Sequence, residues 1–405
     1  MAVAAAEVVE GQAPAWRGGF GRLWSAAVVS KFGDSLRGAA MPLLAASLTA
    51  DPVPVSLVTA CGFLPWLLFG LVGGAVADRV DQRRAMWTVD LLRGALMAAF
   101  AVAVALGHAS IALLVVVAFA LTTLQTLFDN AATALLPSLV PGPALGTANA
   151  RLMTGQMIAG TFLAAPLVPV LLLQGPSVPY AADAATYALA AVLIASLRAE
   201  APEKEPRAPG ATLRGDIKEG VKALWADRPL RGLCVSAALC NVGVGALIAM
   251  LVLHITGWLD AGHTGYVVAL TAYGVGSVAG GLAAGRLAAA LGRLRCVFLA
   301  GAVQTGCLLA MGLVRELWVS VAALAVFGFM GLVWNANQVT LMQERAPAGM
   351  LGRVSAASRT LGAAGAPLGA LLGGLVASAW GLNTPMLLAA GLFVLSVAAL
   401  APLIN

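Results

Sequence analysis

Residues 73–84 read Gly-Gly-Ala-Val-Ala-Asp-Arg-Val-Asp-Gln-Arg-Arg, and this stretch decides the fold. It joins the glycine-rich end of one apolar segment to the start of the next through a short charged loop. A degenerate copy of this stretch lies about half a chain further on. Residues 280–286 read Gly-Gly-Leu-Ala-Ala-Gly-Arg, and Arg293 and Arg295 follow. A charged hairpin between two apolar helices, repeated at half the chain length, predicts a duplicated membrane transporter.

The composition requires a membrane environment. Hydrophobic residues make up 60% of the 405 residues and charged residues only 10%, whereas soluble domains are about a quarter charged. A membrane-spanning helix needs about 20 mostly apolar residues, and unbroken apolar runs favour helices over the alternating strands of a membrane barrel. The sequence therefore predicts an all-α protein with twelve spans. The expected spans are residues 21–48, 56–77, 85–106, 110–136, 147–172, 177–197, 229–257, 264–285, 295–313, 317–342, 354–378 and 384–403.

Basic residues predict the orientation of these spans in the bilayer. The predicted loops on the N-terminal side hold most of them, including Arg22, Arg84 and Arg231, whereas the loops on the other side hold only Arg315. Under the positive-inside rule, both termini of this multi-pass cell-membrane protein are expected in the cytoplasm. Because the same bias explains the net charge of +6, no nucleic-acid partner is expected. The first span is expected to serve as the insertion signal, because residues 1–19 lack a long apolar core and a cleavage site.

One long polar segment divides the chain. Residues 198–228 are rich in proline and alternating charge, as linkers are, and a short helix on the membrane face is expected near their end. We therefore predict an N-terminal six-helix bundle at 1–197, a cytoplasmic linker and a C-terminal bundle at 229–405. Phe-Asp-Asn at 128–130 and Trp-Asn-Ala at 334–336 precede a proline by the same distance, which supports a duplication.

The opening stretch resembles the signature loop of the major facilitator superfamily, G-x-x-x-D-R-x-G-R-R, between its second and third helices. Asp81 stands where glycine is usual. The resemblance covers essentially the whole chain and implies two pseudo-symmetric six-helix bundles that alternate access to a central site. The matching residues are Gly74, Asp78, Arg79, Arg83 and Arg84.

Other segments are similar to the bacterial branch of that superfamily that contains macrolide-efflux and enterobactin-export proteins. These are Ser-Lys-Phe-Gly-Asp at 30–34, Asp-Leu-Leu-Arg at 90–93 and Phe-Asp-Asn-Ala at 128–131. A glycine-rich antiporter pattern in the fifth span is half present, with Gly155 and Gly160 ahead of an Ala-Pro pair. The branch implies export, and the fifth-span pattern supports it only in part.

The resemblance implies a role for the hairpin. In the family, the loop aspartate and an arginine join an acid low on the fourth helix and dock the helices when the cytoplasmic side is closed. Asp129 lies about 10 Å from the inner end of its predicted helix and is the expected partner of Arg83 or Arg84. The alternative is that these arginines only hold the loop in the cytoplasm.

The first span carries Lys31, Asp34 and Arg37 at a spacing of three, so adjacent pairs share one helical face. Asp34 lies about 20 Å along the span, where a charge must be paired or face a cavity. One interpretation is that Asp34, with its basic neighbours, takes and releases the driving proton. The other is a permanent ion pair that stiffens the bundle.

Two further sets of polar residues are predicted within the spans. Asp90 and Arg93 form either an intrahelical pair or an extension of the charge network towards the first span. Neutral amides with aromatic and methionine side chains favour a cavity for an organic ligand, while any single amide is as well explained by a hydrogen bond between helices. His254 is expected to be solvated near the outer end of the seventh span. The cavity candidates are Gln125, Met153, Gln156, Met157, Asn241, Gln304, Trp334, Asn335, Asn337 and Gln338.

Together these features predict a secondary active transporter and not an enzyme, because the sequence shows no nucleophile–base pair, metal cluster or phosphate-binding loop. We expect a monomer without a cofactor whose partners are a small-molecule substrate, protons and the lipid bilayer. The expected activity is proton-coupled efflux, by antiport, of small hydrophobic or amphipathic molecules such as antibiotics, with multidrug resistance as its consequence. A siderophore exporter, a small-metabolite symporter and a non-transporting membrane sensor or assembly protein are the alternatives.

Overall fold

The computed structural model describes residues 18–77, 81–141, 144–197, 222, 224–345 and 351–401. These residues are almost entirely helical and contain no strand, so the predicted all-α class is confirmed. Two π-helical turns, Ile158–Ala164 and His254–Trp258, follow α5 and α8 directly. The helices are α1 (Gly19–Leu48), α2 (Pro52–Ala77), α3 (Gln82–Ala105), α4 (Ile111–Leu139), α5 (Leu145–Met157), α6 (Ala165–Gln174), α7 (Val178–Ala195), α8 (Arg228–Leu253), α9 (Gly262–Leu291), α10 (Arg293–Leu313), α11 (Leu317–Arg345), α12 (Leu351–Trp380) and α13 (Thr384–Leu400).

Each predicted apolar stretch coincides with a helix or with consecutive helical segments. By length and hydropathy, eight helices in the described part of the chain are able to cross a membrane, or nine if the bent pair in the fifth stretch counts as one span. The remaining candidates are α1, which carries several charged side chains, and two shorter apolar helices, Ala364–Trp380 and Thr384–Leu400. The count of twelve spans therefore stays a prediction, as do the domain limits. Most of the linker, 198–221 and 223, lies outside the described residues.

The helices run in alternate directions and give the molecule two ends. We call the end where α1 begins the proximal end and the opposite one the distal end. At the distal end, Asn383 Nδ2 donates to the carbonyl of Gly312 at 3.0 Å, and Arg315 Nε donates to the carbonyl of Trp258 at 2.7 Å. These bonds tie together helix ends that the sequence separates, so the distal turns form one connected surface.

Small residues set the distance between helices in the C-terminal bundle. A Cβ atom on Gly276 or Gly280 of α9 would overlap the backbone carbonyls of Ala325 and Phe329 on α11. Close packing of α9 on α11 therefore depends on this small-xxx-small pair. Gly281 and Gly285 of the same helix have no heavy atom near an added Cβ atom, so the close approach is confined to one face of α9.

The two halves also meet directly. Gly374 of α12 lies against the Ser56 side chain of α2, and Gly274 of α9 lies against Thr161. One continuous apolar core contains side chains from both halves, for example Leu43 in the N-terminal half. A second apolar core, on the proximal side of α1, α3, α4, α5 and α7, contains described side chains from the N-terminal half alone. The polar cavity described below lies at mid-height between these layers.

The expectation that His254 is solvated is wrong. Its side chain is fully buried, its Nδ1 lies 3.4 Å from the carbonyl oxygen of Leu382, and its ring packs against Trp258 with 4.8 Å between centroids. The cause is the π-helical turn that continues α8. This turn rotates His254 into the bundle instead of leaving it at a free helix end.

Candidate functional site

A polar cavity of about 410 Å³ lies at mid-height in the N-terminal half. It is enclosed by α1, α2, α4 and α5, and its wall combines charged, amide and aromatic side chains. Among the described residues, no group of His, Cys, Asp and Glu side chains could hold a metal ion. The mixture of charged, amide and aromatic groups in the wall is typical of sites for small organic molecules. Its lining residues are Ala27, Ser30, Lys31, Asp34, Arg37, Trp66, Thr122, Gln125, Phe128, Asp129 and Gln156.

Asp34 is the point at which the cavity meets a buried network of charges. Its Oδ1 accepts hydrogen bonds from Arg37 Nη2 at 2.8 Å and from Arg93 Nη2 at 3.0 Å. The hydroxyl of Tyr187 donates to the same oxygen. The i, i+3 pair with Arg37 is the one that the spacing predicts, and two further donors come from α3 and α7. Asp34 thus holds three helices together while still lining the cavity.

Arg93 lies at the centre of the network and is completely buried. Its Nη1 donates to Asp90 Oδ1 at 3.1 Å, which is the predicted intrahelical pair. Its Nη2 contacts Asp34 and Gln125, and its guanidinium lies 4.0 Å from the centroid of the Tyr187 ring. Arg93 therefore forms both of the arrangements that the sequence left open, the pair within α3 and the extension towards α1.

Asp183 closes the network on the side of α7. Its buried carboxylate accepts from Arg37 Nε at 3.1 Å, and the Thr186 hydroxyl donates to the Asp183 carbonyl at 2.7 Å. The approach depends on Gly33 of α1, where a Cβ atom would overlap the Asp183 and Thr186 side chains. Asp183 is thus paired rather than free in the bundle.

Tyr187 is the functional residue that the sequence reasoning missed. A signal was present, because Tyr187 follows Asp183 by four residues and so lies on the same face of α7. The aromatic ring covers Arg93 and the hydroxyl reaches Asp34. A tyrosine among apolar residues is ambiguous in a sequence, since its ring is equally at home in a hydrophobic core.

The network is costly to assemble and therefore tightly constrained. Removing one member of a buried ion pair costs about 3–5 kcal/mol because the partner's charge is left uncompensated. Among the described residues, Asp34, Asp90 and Asp183 pair with two guanidinium groups, those of Arg93 and the partly exposed Arg37, while Lys31 lies exposed at the cavity wall. The acids of this set therefore outnumber the guanidinium groups that pair with them.

The gating hairpin is described only in part. Asp78 and Arg79 lie outside the described residues, and Gly74 is described only as part of the backbone of α2. The Nη2 group of Arg83 donates to the carbonyl of Ala195, at the C-terminal end of α7. Arg22 Nη1 donates at 2.6 Å to the neighbouring carbonyl of Ser196. Cations at a helix C-terminus satisfy free carbonyls and oppose the helix dipole, so these arginines fasten α7 to α1 and α3.

The structure explains why Asp81 stands where the family signature usually has glycine. It is the N-cap of α3, and its Oδ1 accepts a hydrogen bond from the backbone N–H of Arg84 at 3.0 Å. The exposed Arg84 side chain lies 3.7 Å from Asp81 Oδ2. Asp129 accepts from Gln125 Nε2 at 2.8 Å and lines the cavity. The pairing of Asp129 with Arg83 or Arg84 remains a prediction for another state of the protein.

The predicted cavity residues separate into two groups. Gln125 and Gln156 line the cavity, whereas Met153 is largely exposed and Met157 is half-buried outside its wall. In the C-terminal half, Gln304 Nε2 donates to the carbonyl of Phe327 at 3.2 Å, a bond between α10 and α11.

Three other cavity candidates of the C-terminal half are amides that bond within their own helices. Asn241 and Asn337 donate to carbonyls one turn earlier at 2.9 and 2.8 Å, and Gln338 lies 3.0 Å from Met342 Sδ. Asn335 is exposed, and the buried Trp334 Nε1 has no partner among the described residues. The structure thus brings Gln125 and Gln156 together at the cavity of Asp34 and Asp129, leaves Met153 and Met157 outside it, and leaves the C-terminal candidates dispersed.

Comparison with known proteins matches this architecture. The family model for transmembrane secretion effectors covers residues 10–404. Macrolide efflux protein A of Streptococcus pyogenes is 22% identical over 395 residues, covering 96% of each chain. The enterobactin exporter EntS of Escherichia coli is 27% identical over 372 residues, covering 88% of this chain and 85% of its own.

The crystal structure of the nucleoside transporter NupG superimposes with a TM-score of 0.77, covering 95% of this chain and 99% of that one. At 11% identity this likeness shows the fold alone. The family and these relatives are transporters rather than enzymes. The chain is thus a multi-pass membrane protein that belongs to the transmembrane secretion effectors of the major facilitator superfamily.

Proposed function

We propose that this protein is a proton-driven exporter of small hydrophobic or amphipathic molecules. The observation that carries the proposal is the buried charge network at mid-height, one acid of which opens onto the cavity. In this proposal the protein is a monomer of the cell membrane with both termini in the cytoplasm, organised as bundles 1–197 and 229–405 around the linker. The antibiotic and siderophore exporters among its relatives support the outward direction.

Protons are the coupling ion best suited to this network. Ionisable side chains within a membrane are costly, and they are tolerated where they pair with one another or relay an ion. Where carboxylates outnumber the guanidinium groups that pair with them, their mutual repulsion favours the binding of a proton by one of them. A sodium ion would instead need several oxygen ligands at one point, whereas Asp34 is surrounded by cationic donors.

The cavity supports a neutral or zwitterionic amphipathic substrate. Its volume falls within the range of about 300–1,000 Å³ typical of small-molecule sites. Two acids, Asp34 and Asp129, face two cations, Lys31 and Arg37, so the wall carries little net charge. The Trp66 ring and the aromatic and amide groups of α4 offer stacking surfaces and hydrogen bonds.

The experiment that tests the proposal begins with an efflux-deficient bacterium. Expression of the protein is expected to lower accumulation of at least one drug in a panel of macrolides, tetracyclines, chloramphenicol and quinolones, and a protonophore is expected to remove the difference. Asp34→Asn is expected to behave like the empty vector while it still reaches the membrane. If no compound in the panel responds to the protein or to the gradient, the exporter proposal is overturned.

A siderophore exporter is the second candidate. The enterobactin exporter of Escherichia coli supports it, as does the polar part of the cavity wall, including Gln125 and Gln156. In an iron-starved strain without its own exporter, the protein would then restore secretion of a catecholate into the medium. Drug accumulation would remain unchanged, which separates the two candidates.

A further inference from the structure

Among the described acids of the charge network, Asp90 is the one with a buried oxygen that accepts no hydrogen bond. Its side chain is completely buried in α3. Oδ1 accepts one hydrogen bond, from Arg93 Nη1, and Oδ2 is buried without a hydrogen-bond partner among the described residues. A buried carboxylate oxygen without a donor is strongly unfavourable, whereas the same oxygen with a proton attached is far less so.

The hydrogen bonds of Arg93 are unevenly distributed. Nη2 carries two hydrogen atoms but faces three acceptors, Asp34 Oδ1, Gln125 Oε1 and the Tyr187 hydroxyl oxygen. Its Nε–H is buried without a partner in the described chain. Since one nitrogen faces too many acceptors and another has none, the guanidinium has more than one way to pair with the same neighbours. Its partners Asp90 and Asp34 therefore compete for one cation.

Asp34 is held more firmly in the ionised form, because its Oδ1 receives donors from Arg37, Arg93 and Tyr187. Asp183 accepts one hydrogen bond from Arg37 Nε, and its Oδ1 lies 3.5 Å from the Thr186 hydroxyl, which donates its hydrogen atom to the Asp183 carbonyl. Asp90 differs from both, because its Oδ2 is buried without a hydrogen-bond partner among the described residues. The guanidinium that bonds Asp90 Oδ1 also bonds Asp34.

The charged groups that act directly on Asp90 come from three helices. Arg93 on α3 favours the ionised form of Asp90, whereas Asp34 on α1 and Asp129 on α4 oppose it. Beyond Asp34 the network continues with Lys31 and Arg37 on α1 and with Asp183 and Tyr187 on α7. Two like charges nearby and a buried oxygen without a donor make Asp90 the member of the network that loses least by taking a proton.

We propose that Asp90 is the proton-binding residue of the transport cycle and that Asp34 stays ionised. A proton adds to Asp90 Oδ2 and forms an O–H bond. Arg93 then loses its charged partner on α3 and pairs with Asp34 alone. When Asp90 gives the proton up on the other side of the membrane, Arg93 returns to it. This inference deepens the proposed function and depends on its proton coupling.

The first experiment needs no substrate. Dicyclohexylcarbodiimide modifies protonated carboxyl groups in apolar surroundings, and peptide mass spectrometry locates the adduct. We expect the adduct on Asp90 of the intact, detergent-purified protein, with at least a five-fold fall in yield as the pH rises from 6 to 9. Modification of Asp34 or Asp183 in its place, or no adduct on Asp90 at any pH, would overturn the inference.

The second experiment separates coupling from transport, with erythromycin as the probe in proteoliposomes. Asp90→Asn is expected to lose uphill accumulation driven by a pH gradient at least ten-fold, and the transport that remains is expected to vary less than two-fold between pH 6 and 9. Asp90→Glu, which restores a titratable group, is the matched control and is expected to recover part of the uphill transport.

The outcomes distinguish the two proposals. Wild-type protein that exchanges erythromycin but ignores the pH gradient contradicts proton coupling itself. Wild-type protein that responds to the gradient, together with Asp90→Asn protein that responds equally, contradicts the assignment to Asp90 and leaves the proposed function intact. If erythromycin is not transported, the adduct experiment alone decides the assignment.

Discussion

The two halves share a fold and differ in what they bury. The N-terminal half encloses Asp34, Asp90 and Asp183 with two arginines at mid-height. The C-terminal half keeps its acids, Asp260 and two glutamates, in turns or near helix ends. In the middle of its helices it buries neutral pairs instead, such as the hydroxyls of Ser236 and Ser396 at 2.7 Å.

This difference shows that the two halves share a scaffold and not a set of buried groups. One half buries ion-paired side chains, while the other is held by close contacts between glycines and backbone. The degenerate hairpin of the C-terminal half fits this division, because Gly285 and Asn335 stand where the N-terminal half has Asp78 and Asp129. The comparison can be tested by substitutions that are severe in one half and mild in the other.

The largest effect is expected for Arg93→Met. Its loss leaves Asp34 and Asp90 without their shared partner in a buried site, so the free energy of unfolding should fall by about 3–5 kcal/mol. Arg293→Met is the matched control in the other half, where the pair with Glu344 is exposed and worth at most about 1 kcal/mol. Thermal unfolding of the detergent-purified proteins measures both. Equal losses would refute the claim that only one half depends on buried charge.

The next largest effect is expected in the C-terminal half, from Gly280→Leu. The new side chain would overlap the Phe329 carbonyl and push α9 away from α11, at a cost of about 3 kcal/mol. Gly281→Leu is the control, because no heavy atom lies near its added Cβ atom. Yield of folded protein and its thermal midpoint report the difference. Similar values for the two variants would show that this interface tolerates separation.

A smaller effect is expected for Tyr187→Phe, which removes the hydroxyl donor to Asp34 and costs about 1.5 kcal/mol. Tyr180→Phe on the same helix should be neutral or slightly stabilising, because its buried hydroxyl has no partner among the described residues. Transport measured between pH 6 and 8 should change for Tyr187→Phe alone. A response to Tyr180→Phe of the same size would place the important hydroxyl elsewhere on α7.

The smallest effect is expected at Asp81. Asp81→Ala removes the N-cap of α3 and should lower the free energy of unfolding by about 1 kcal/mol. Asp81→Gly, which restores the residue usual in the signature, should cost only about 0.3 kcal/mol. Transport by both variants is expected to match wild type. Loss of transport with unchanged stability would indicate that Asp81 contributes to gating and not only to capping.

Contacts along one helix were predictable from the sequence, and contacts between helices were not. A spacing of three residues was enough for the pairs Asp34–Arg37 and Asp90–Arg93. The sharing of Arg93 between α1 and α3 depends on how the helices are rotated about their axes. That rotation is set by close approaches such as the one at Gly33, which no periodicity reveals.

The same reasoning explains the other differences between prediction and structure. His254 was expected in water because it lies near the outer end of the predicted span 229–257, and a π-helical turn carries the residue inward. Gln304 is of a residue type that binds ligands, and its hydrogen bond to the carbonyl of Phe327 on α11 makes it a helix-packing residue. A side chain's type limits what it can bind, and its surroundings in the fold decide what it does bind.

The arginines at the end of α7 have a mechanical consequence. Arg22 and Arg83 fasten the last carbonyls of α7 to α1 and α3, and the mid-height charges join the same three helices a second time. Two points of attachment about 15 Å apart prevent each helix from tilting independently of the others. We therefore expect α1, α3 and α7 to travel as one rigid body during a change of access.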